Sequence, residues 1–489
     1  MKKFIGRRGL LDDLDSLWRK RTSSLVACRG RRRIGKSTLF REFSRRTAEC
    51  YIEIEGLAPE KNMTDQDQLD GFAASLARET QTPLLTLKNW TDAFFWLDHY
   101  IDDTKRTVVV LDEISWMGGC NPLFPSILRK AWERYFHRHD KLILVICGSV
   151  SAWIKENLLD STGFAGRFSR DYVLPELLLD ECVQFWGDAA NRVSSREILD
   201  VLSVTGGVPR YLEEVDPGLD AAENIRRMCF MKSGQLFQDF DSIFNPLFGP
   251  ENEVRKSILC ALGDGPLTGE EISRRLGIPR NGHLSANLRA LCEGGFISDD
   301  VGINPETGKL GRVSKYRLKD NYTRFYLKYL APHKHEITLG TYRYLSVENL
   351  PEWQTVMGLQ FENLVVNNAM SLIPHLHIGG AIVESAAPYR NMRNGVAGKK
   401  AGCQIDLLIQ TARTAYVIEI KRQKEIGPEI EDEVRRKIAR LPLRSGVTPR
   451  PVLVYDGSLA PSVEGTGFFD AIIPVRKLLG IWNNEGRTK

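Results

Sequence analysis

Three groups of residues in this chain have types and spacings that could do chemistry. The first is GRRRIGKST, which fits the spacing Gly-x4-Gly-Lys-Ser/Thr through Gly30, Gly35, Lys36 and Ser37 and reads as a nucleotide-binding loop from Gly30 to Thr38. Glycines let backbone N–H groups curl around a phosphate, and a helix starting there adds a positive end. Lys36 would reach the β- and γ-phosphates of a nucleotide, and the Ser37 hydroxyl would bind Mg²⁺. The second is Asp112–Glu113, which closes the apolar run Val108 to Leu111. An aspartate there suits Mg²⁺ coordination, and a glutamate suits polarising the attacking water. The third lies far down the chain. Asp406 precedes Glu419 by thirteen residues, and Lys421 comes two later. Two carboxylates could share a divalent ion, and the lysine could hold and help deprotonate a water. Glu362, upstream, would be an outer acid completing that metal environment.

These residues need elements to place them. SSLVAC before Gly30 reads as a buried strand, and STLFREFSRR after it as an amphipathic helix. Ser24 to Cys28, Thr107 to Leu111 and Leu142 to Cys147 are apolar runs between helical stretches, which predicts a parallel sheet covered on both faces. Toward the C-terminus, CQIDLLIQ and AYVIEIKRQ read as two strands joined by a tight turn at Thr411 to Thr414. Period-2 alternation puts Glu419, Lys421 and Gln423 on one face, opposite Ile418 and Ile420. Glu362 falls on an amphipathic helix before them.

Bulk properties bound the reading. A length of 489 residues suggests three or four domains. A net charge of +5 is a weak field over such a chain, permitting nucleic-acid binding without arguing for it. No run reaches the ~18 apolar residues of a membrane span, and MKKFIGRRGLL lacks a signal peptide's apolar core. The nine cysteines stand singly, against zinc and disulfides. The histidine pairs His137/His139, His333/His335 and His375/His377 read as surface polar residues. A reducing cytoplasm is the expected compartment.

FIGRRGLLDDL, the loop at Gly30, LDEISWM, LILVICGS and the later GGVP together resemble the prokaryotic STAND-type AAA P-loop ATPases, a group widespread in archaea. The resemblance implies that Gly6 and Arg7 help hold ATP and that Ser149 senses the γ-phosphate. It further implies that Arg167, in Gly166–Arg167, faces phosphate, and that Gly207 to Pro209 contacts the adenine side within a helical lid. KYRLKDNYTRFYLKYLAP with MGLQFENLV resembles the module fused to such ATPases, of the PD-(D/E)XK nuclease-like superfamily. That implies a restriction-endonuclease-like α/β domain. The superfamily's proline before the first aspartate is absent, with Ile405 in its place.

Between these regions lies a helix-turn-helix rhythm, with helices at Val254 to Leu262, Gly269 to Leu276 and Asn281 to Cys292. A hairpin with GINPETGKLGR at its tip and KYRL as its return strand makes a winged helix. Lys309, Arg312 and Lys315 sit where a wing would touch phosphate. Arg280, His283, Asn287 and Arg289 give the third helix a modest basic face, which suits DNA contact and domain packing equally.

The expected fold is α/β. A parallel-sheet P-loop ATPase core spans 1–173, a helical lid 174–250, a winged helix 251–320 and a nuclease-like domain 321–489. The expected function is ATP- and Mg²⁺-dependent processing of nucleic acid, DNA ahead of RNA, without a membrane. The rival is a regulatory switch whose C-terminal domain binds without cleaving. A motor that assembles as a nucleotide-dependent homo-oligomer is a third reading.

Overall fold

Valine- and isoleucine-rich runs suit a pleated surface buried on both faces, and those of the N-terminal third become strands of one sheet that a more polar, less buried strand completes at its edge. They are β1 (Ser24–Arg29), β2 (Cys50–Glu55), β3 (Thr107–Asp112), β4 (Leu142–Gly148) and β5 (Phe168–Val173), in the order β2-β3-β4-β1-β5. Every pairing is parallel. Alternate residues serve opposite faces. Val26, Val108, Val110 and Val145 pack under α1 (Arg8–Leu17) and α2 (Lys36–Thr47). Leu25, Val109, Leu111 and Leu144 pack under α3 (Asp65–Thr80), α4 (Trp90–His99) and α5 (Phe124–Arg134). On that second face Phe72, Phe94 and Phe124 meet Trp90 at ring separations of 4.7 to 5.9 Å, worth about 1 kcal/mol per pair beyond burial.

This computed structural model describes residues 4–149, 151–240, 252–311, 314–391 and 402–481. Its contacts divide the chain into two compact units, one carrying residues up to Glu176 and the other beginning at Leu177 and holding most of the residues after it. Arg312 lies outside the described residues. His139 corrects an expectation. It is buried rather than on the surface, with Nε2 2.7 Å from Asp98 and Nδ1 2.5 Å from Asp103. A spacing of two residues on a loop did not reveal that carboxylates from α4 and the turn after it would close on it.

In the second unit, α6 (Ser195–Thr205) and α7 (Ala221–Cys229) occupy the helical region. The winged pattern comes next, within two residues of expectation at each helix. It comprises α8 (Asn252–Ala261), β6 (Leu267–Thr268), α9 (Gly269–Leu276), α10 (Gly282–Glu293), β7 (Ile297–Asp299) and β8 (Lys315–Leu318), with a three-stranded antiparallel sheet. Thr268 and Glu271 form a capping box that starts α9.

The C-terminal region holds α11 (Trp353–Asn367), β9 (Ser385–Asn391), β10 (Cys403–Gln410), β11 (Thr414–Ile426), α12 (Glu429–Arg440), β12 (Thr448–Leu459) and β13 (Ala471–Pro474). Its five-stranded sheet is mixed. β9, β10 and β11 run antiparallel, and β11, β12 and β13 run parallel. A parallel neighbour needs a crossover, and α12 supplies it between β11 and β12. The register of β11 on β12 shifts between Arg422 and Glu425, just past Lys421. Gly457 fits there at φ 132°, where a Cβ would stand 1.7 Å from the Gln423 carbonyl oxygen. A bulge at that place bends the strand and re-aims its side chains.

The helix carrying Glu362 is not amphipathic as expected. Nine of the fifteen residues of α11 are buried, so its polar side chains need internal partners. Gln360 Nε2 donates to the Asn321 carbonyl at 2.7 Å, and Asn363 Nδ2 donates to Asn321 Oδ1 at 2.5 Å and to the Lys319 carbonyl at 2.6 Å.

Candidate functional site

Parallel α/β sheets present ligands to the carboxyl ends of their strands, and the first group of residues converges there. Gly35 caps α2 at φ 88°, a left-handed conformation that glycine adopts at least cost. Lys36, largely buried, curls back so that Nζ donates to the carbonyls of Gly30 at 3.0 Å and Arg31 at 3.3 Å. Ser37 Oγ lies 2.5 Å from Asp112 Oδ2. Both are hard oxygen donors at the mouth of the loop from Gly30 to Gly35. Mg²⁺ takes one or two such protein oxygens and completes its shell with water and phosphate, so these two fit it. Thr38 is exposed in the first turn of α2.

Glu113 stands in the left-handed region at φ 48° and ψ 47°. Non-glycine residues there cost of order 1 kcal/mol or more and cluster at functional sites. Its carboxylate is held from the residue that follows β4. Ser149 Oγ donates at 2.8 Å and the Ser149 N–H at 3.1 Å.

Gly6 has φ 74°, and the adjacent Arg7 guanidinium donates to the carbonyls of Ile34 at 3.0 Å and Pro175 at 2.8 Å. Arg7 therefore braces the loop backbone. Arg167 pairs with Glu133 of α5 and donates to the Ala165 carbonyl; no described contact of it reaches Lys36 or Ser37. Pro209 begins a short helix, Pro209–Leu212, in the second unit.

Two further residues neighbour this site: Glu55, which the sequence reading did not single out, and Arg32, which it took to need no special role. Glu55 stands opposite Asp112 in the β2–β3 register, and burial, then Asp112 and Glu113, raise its pKa. Its signal was that β2, like β3, ends in a carboxylate. The Arg32 guanidinium lies 4.6 Å from the Trp116 ring centre, a cation–π contact. Burial lowers its pKa and Glu113 opposes that shift.

The second group assembles on the C-terminal sheet. Asp406 on β10 accepts the Ile420 N–H at 3.0 Å, which ties it to the strand bearing Glu419. Glu419 is 1% exposed. Burial, joined by the charge of Glu362, pushes Asp406 up to about 6, and burial with Asp406 pushes Glu419 up to about 7. Burial also raises Glu362, against the pull of Arg317 and Arg324. The three carboxylates thus feel one another's charge from three elements.

Two residues that the sequence reading missed complete this cluster, Glu433 and Lys437 on α12. Lys437 Nζ donates to both Glu419 oxygens at 2.7 and 2.5 Å and pairs with Glu433 at 3.1 Å. Lys421 Nζ lies 2.9 Å from Glu419 Oε1 and 3.1 Å from Glu433. Burial works against both lysines, yet the carboxylates hold them above the ordinary range. Despite burial, the same lysines draw Glu433 down to about 2. The signal was Glu433 and Lys437 four apart on a charged helix after the Glu-x-Lys strand. Among the described residues, no three of His, Cys, Asp and Glu stand close enough to cage a metal. The pair Asp406 and Glu419 fits Mg²⁺ in the weaker sense of two carboxylates completed by water and phosphate.

The winged helix divides its basic residues. Arg280, His283 and Arg289 are exposed on or before α10. Asn287 faces inward, accepting from Arg255 Nε at 2.6 Å. The wing is engaged by the C-terminal sheet. The Ile303 N–H donates to Ser385 Oγ at 3.2 Å, Gln410 Nε2 to the Ile303 carbonyl at 2.8 Å, and the Arg444 N–H to the Pro305 carbonyl at 2.9 Å. Lys315 Nζ donates to the Arg390 carbonyl at 3.3 Å and so faces protein. Lys309 is exposed.

Residues 4–215 match the family described as an ATPase domain predominantly from Archaea, and residues 251–299 match a helix-turn-helix domain. An uncharacterized protein of Methanocaldococcus jannaschii is 24% identical over 382 residues, covering 76% of this chain and 79% of that protein. Among solved structures, the Walker-type ATPase of Pyrococcus abyssi is similar with a TM-score of 0.49 and 17% identity, covering 66% of this chain and 96% of that one. A STAND signal-transduction ATPase with a tetratricopeptide repeat sensor, from Pyrococcus horikoshii, has a TM-score of 0.28 and 16% identity. That similarity covers 77% of this chain and 50% of the Pyrococcus horikoshii one. Among the described residues, no helix is long and apolar enough to cross a membrane.

Proposed function

We propose that this chain, which carries an archaeal-type ATPase domain and then a helix-turn-helix domain, binds and hydrolyses ATP with Mg²⁺ and couples that cycle to a nuclease-like site acting on DNA. The observation that carries the ATPase reading is the meeting of Ser37 and Asp112 at 2.5 Å beside Glu113. Bound Mg²⁺ would offset phosphate charge. The chain's own residues do the rest. Lys36 turns from its loop carbonyls to the β- and γ-phosphates, Ser37 and Asp112 hold the ion, and Glu113 orients the attacking water. Thr38 is assigned to the nucleotide as the end of the loop, Gly6, Ser149, Arg167 and Pro209 are assigned on the family resemblance, and Arg7 acts by bracing the loop.

The nuclease reading is supported by Asp406, Glu419, Lys421 and Glu362 drawing together from β10, β11 and α11. Asp406 and Glu419 would hold Mg²⁺, with Glu362 outside them, and Lys421 would hold the attacking water. DNA is favoured by the exposed Arg280, His283 and Arg289 of the helix-turn-helix, and assembly into a nucleotide-dependent homo-oligomer is compatible with this scheme. The switch reading, in which the C-terminal region binds without cleaving, is favoured by one observation: both Glu419 oxygens are already paired with Lys437.

Purified protein would be incubated with linear, circular and single-stranded DNA and with RNA, plus Mg²⁺ or Mn²⁺, with and without ATP. Cleavage lost in Asp406→Ala and altered in Lys36→Ala supports a nucleotide-gated nuclease. ATP turnover without cleavage under every condition leaves the switch. Absence of ATP turnover in the unaltered chain sinks both.

A further inference from the structure

A buried carboxylate needs a counter-charge, because leaving it unpaired in a low-dielectric interior costs several kcal/mol. Glu419 has two candidates for that duty, and they bind it differently. Lys421 reaches Oε1 alone at 2.9 Å. Lys437 straddles the carboxylate, at 2.7 Å from Oε1 and 2.5 Å from Oε2. A cation centred on both oxygens of a carboxylate occupies the position a chelated divalent ion would take. Lys437 also has somewhere else to go. Glu433, one turn before it on α12, already touches Nζ at 3.1 Å and is 37% exposed, and a four-carbon stem gives the ammonium wide reach.

We propose that Lys437 is a built-in stand-in for a divalent cation, so that loading the C-terminal site requires its ammonium to leave Glu419 and fall back on Glu433. The inference rests on reading Asp406 and Glu419 as metal ligands. Lys437 thereby sets the affinity of the site, keeping it metal-free until divalent ion and substrate phosphates arrive together. It is a regulating residue, distinct from Lys421, which is assigned to the water.

The test is calorimetric titration of the full chain with Mn²⁺ in the absence of nucleotide. Heat lost in Asp406→Asn is assigned to this site. Lys437→Gln is expected to tighten Mn²⁺ binding at least about tenfold, since a competing unit charge a few ångströms away is removed. Arg436→Gln removes the same charge from an exposed neighbour on α12 and should change affinity less than about threefold. Lys437→Arg keeps the charge and adds a fork suited to a carboxylate, so it should weaken binding; it serves also if the glutamine variant does not fold. Equal affinity in Lys437→Gln and the unaltered chain, weaker binding in it, or equal tightening by Arg436→Gln overturns the inference while leaving the metal site standing. No Mn²⁺ binding in any form overturns the metal reading and this inference together.

Discussion

Ser37 Oγ and Asp112 Oδ2 meet at 2.5 Å across 75 positions of sequence. The helix start places one and the strand end the other, and β4, lying between β1 and β3, sets the gap. Ser37→Ala and Asp112→Asn should each lower ATP turnover at least about 100-fold, a usual loss for electrostatic groups at a transition state. Glu113→Gln should do so while retaining nucleotide. Steady-state turnover with fluorescent-nucleotide binding separates these outcomes, and full activity in Asp112→Asn would remove the ion from this site.

Ser149 grips the Glu113 carboxylate with its hydroxyl and its N–H. Ser149→Ala removes only the hydroxyl, leaving the carboxylate free to turn. The expected result is a drop in kcat of about 10- to 100-fold with KM for ATP nearly unchanged, the pattern of a group that matters in the transition state. A rise in KM at constant kcat would instead make Ser149 a binding residue.

Arg422 is a structural pin. Its side chain is 4% exposed, it pairs with Asp200 of α6, and its Nε lies 3.3 Å from Asp456 of β12. Arg422→Ala leaves two largely buried aspartates without their main partner. A loss of about 3 kcal/mol is expected from removing one partner of a buried pair. A denaturation midpoint that does not move would place the load elsewhere, for example on Arg196, which lies 3.5 Å from Asp456.

The raised carboxyls on the C-terminal sheet set a pH dependence. Glu419 titrates near 4.5 when exposed and at about 7 when folded, so the folded chain binds the proton more tightly. Its stabilising contribution is complete below about 4.5 and is lost as pH rises through about 7. In metal-free buffer, stability should therefore fall from pH 5 to pH 8, at up to about 1.4 kcal/mol per unit for this group. Glu419→Gln should flatten the slope. An unchanged slope in that variant would assign the titration to another group.

If α10 carries the DNA contact, Arg289→Ala should weaken binding evenly across sequences and reduce the salt slope by about 1. Lys315→Ala should leave that slope alone, since its ammonium is spent on the Arg390 carbonyl. Equal effects from the two would mean that the wing leaves the sheet when DNA binds.

Local features were the legible ones. The Gly-Lys-Ser loop was legible from its spacing between a buried strand and a helix, the acid-ended strand only beside that loop, and the Glu-x-Lys strand only because its polar residues interrupt apolar runs downstream of Glu362. Three things were not legible. Lys437 matters because a crossover helix lands over β11, and no local pattern specifies that landing. His139 looked solvated because its two aspartates come from α4 and the turn after it, 41 and 36 positions away. The wing's basic residues pointed to phosphate by analogy, whereas Lys315 and the carbonyls of Ile303 and Pro305 meet protein. In each case the deciding partner is remote in sequence.

The docking of the wing onto the sheet also bears on how the chain reaches this state. Ile303 bonds to Ser385 and Gln410 across 82 and 107 positions. Such pairings close long loops before any contact rewards them, and topologies of this kind fold slowly. Helix-turn-helix and sheet should therefore acquire protection from amide exchange in one late, shared step. A fragment begun after the wing would lack the hydrogen bonds that Ile303 makes with the Ser385 hydroxyl of β9 and the Gln410 side chain of β10.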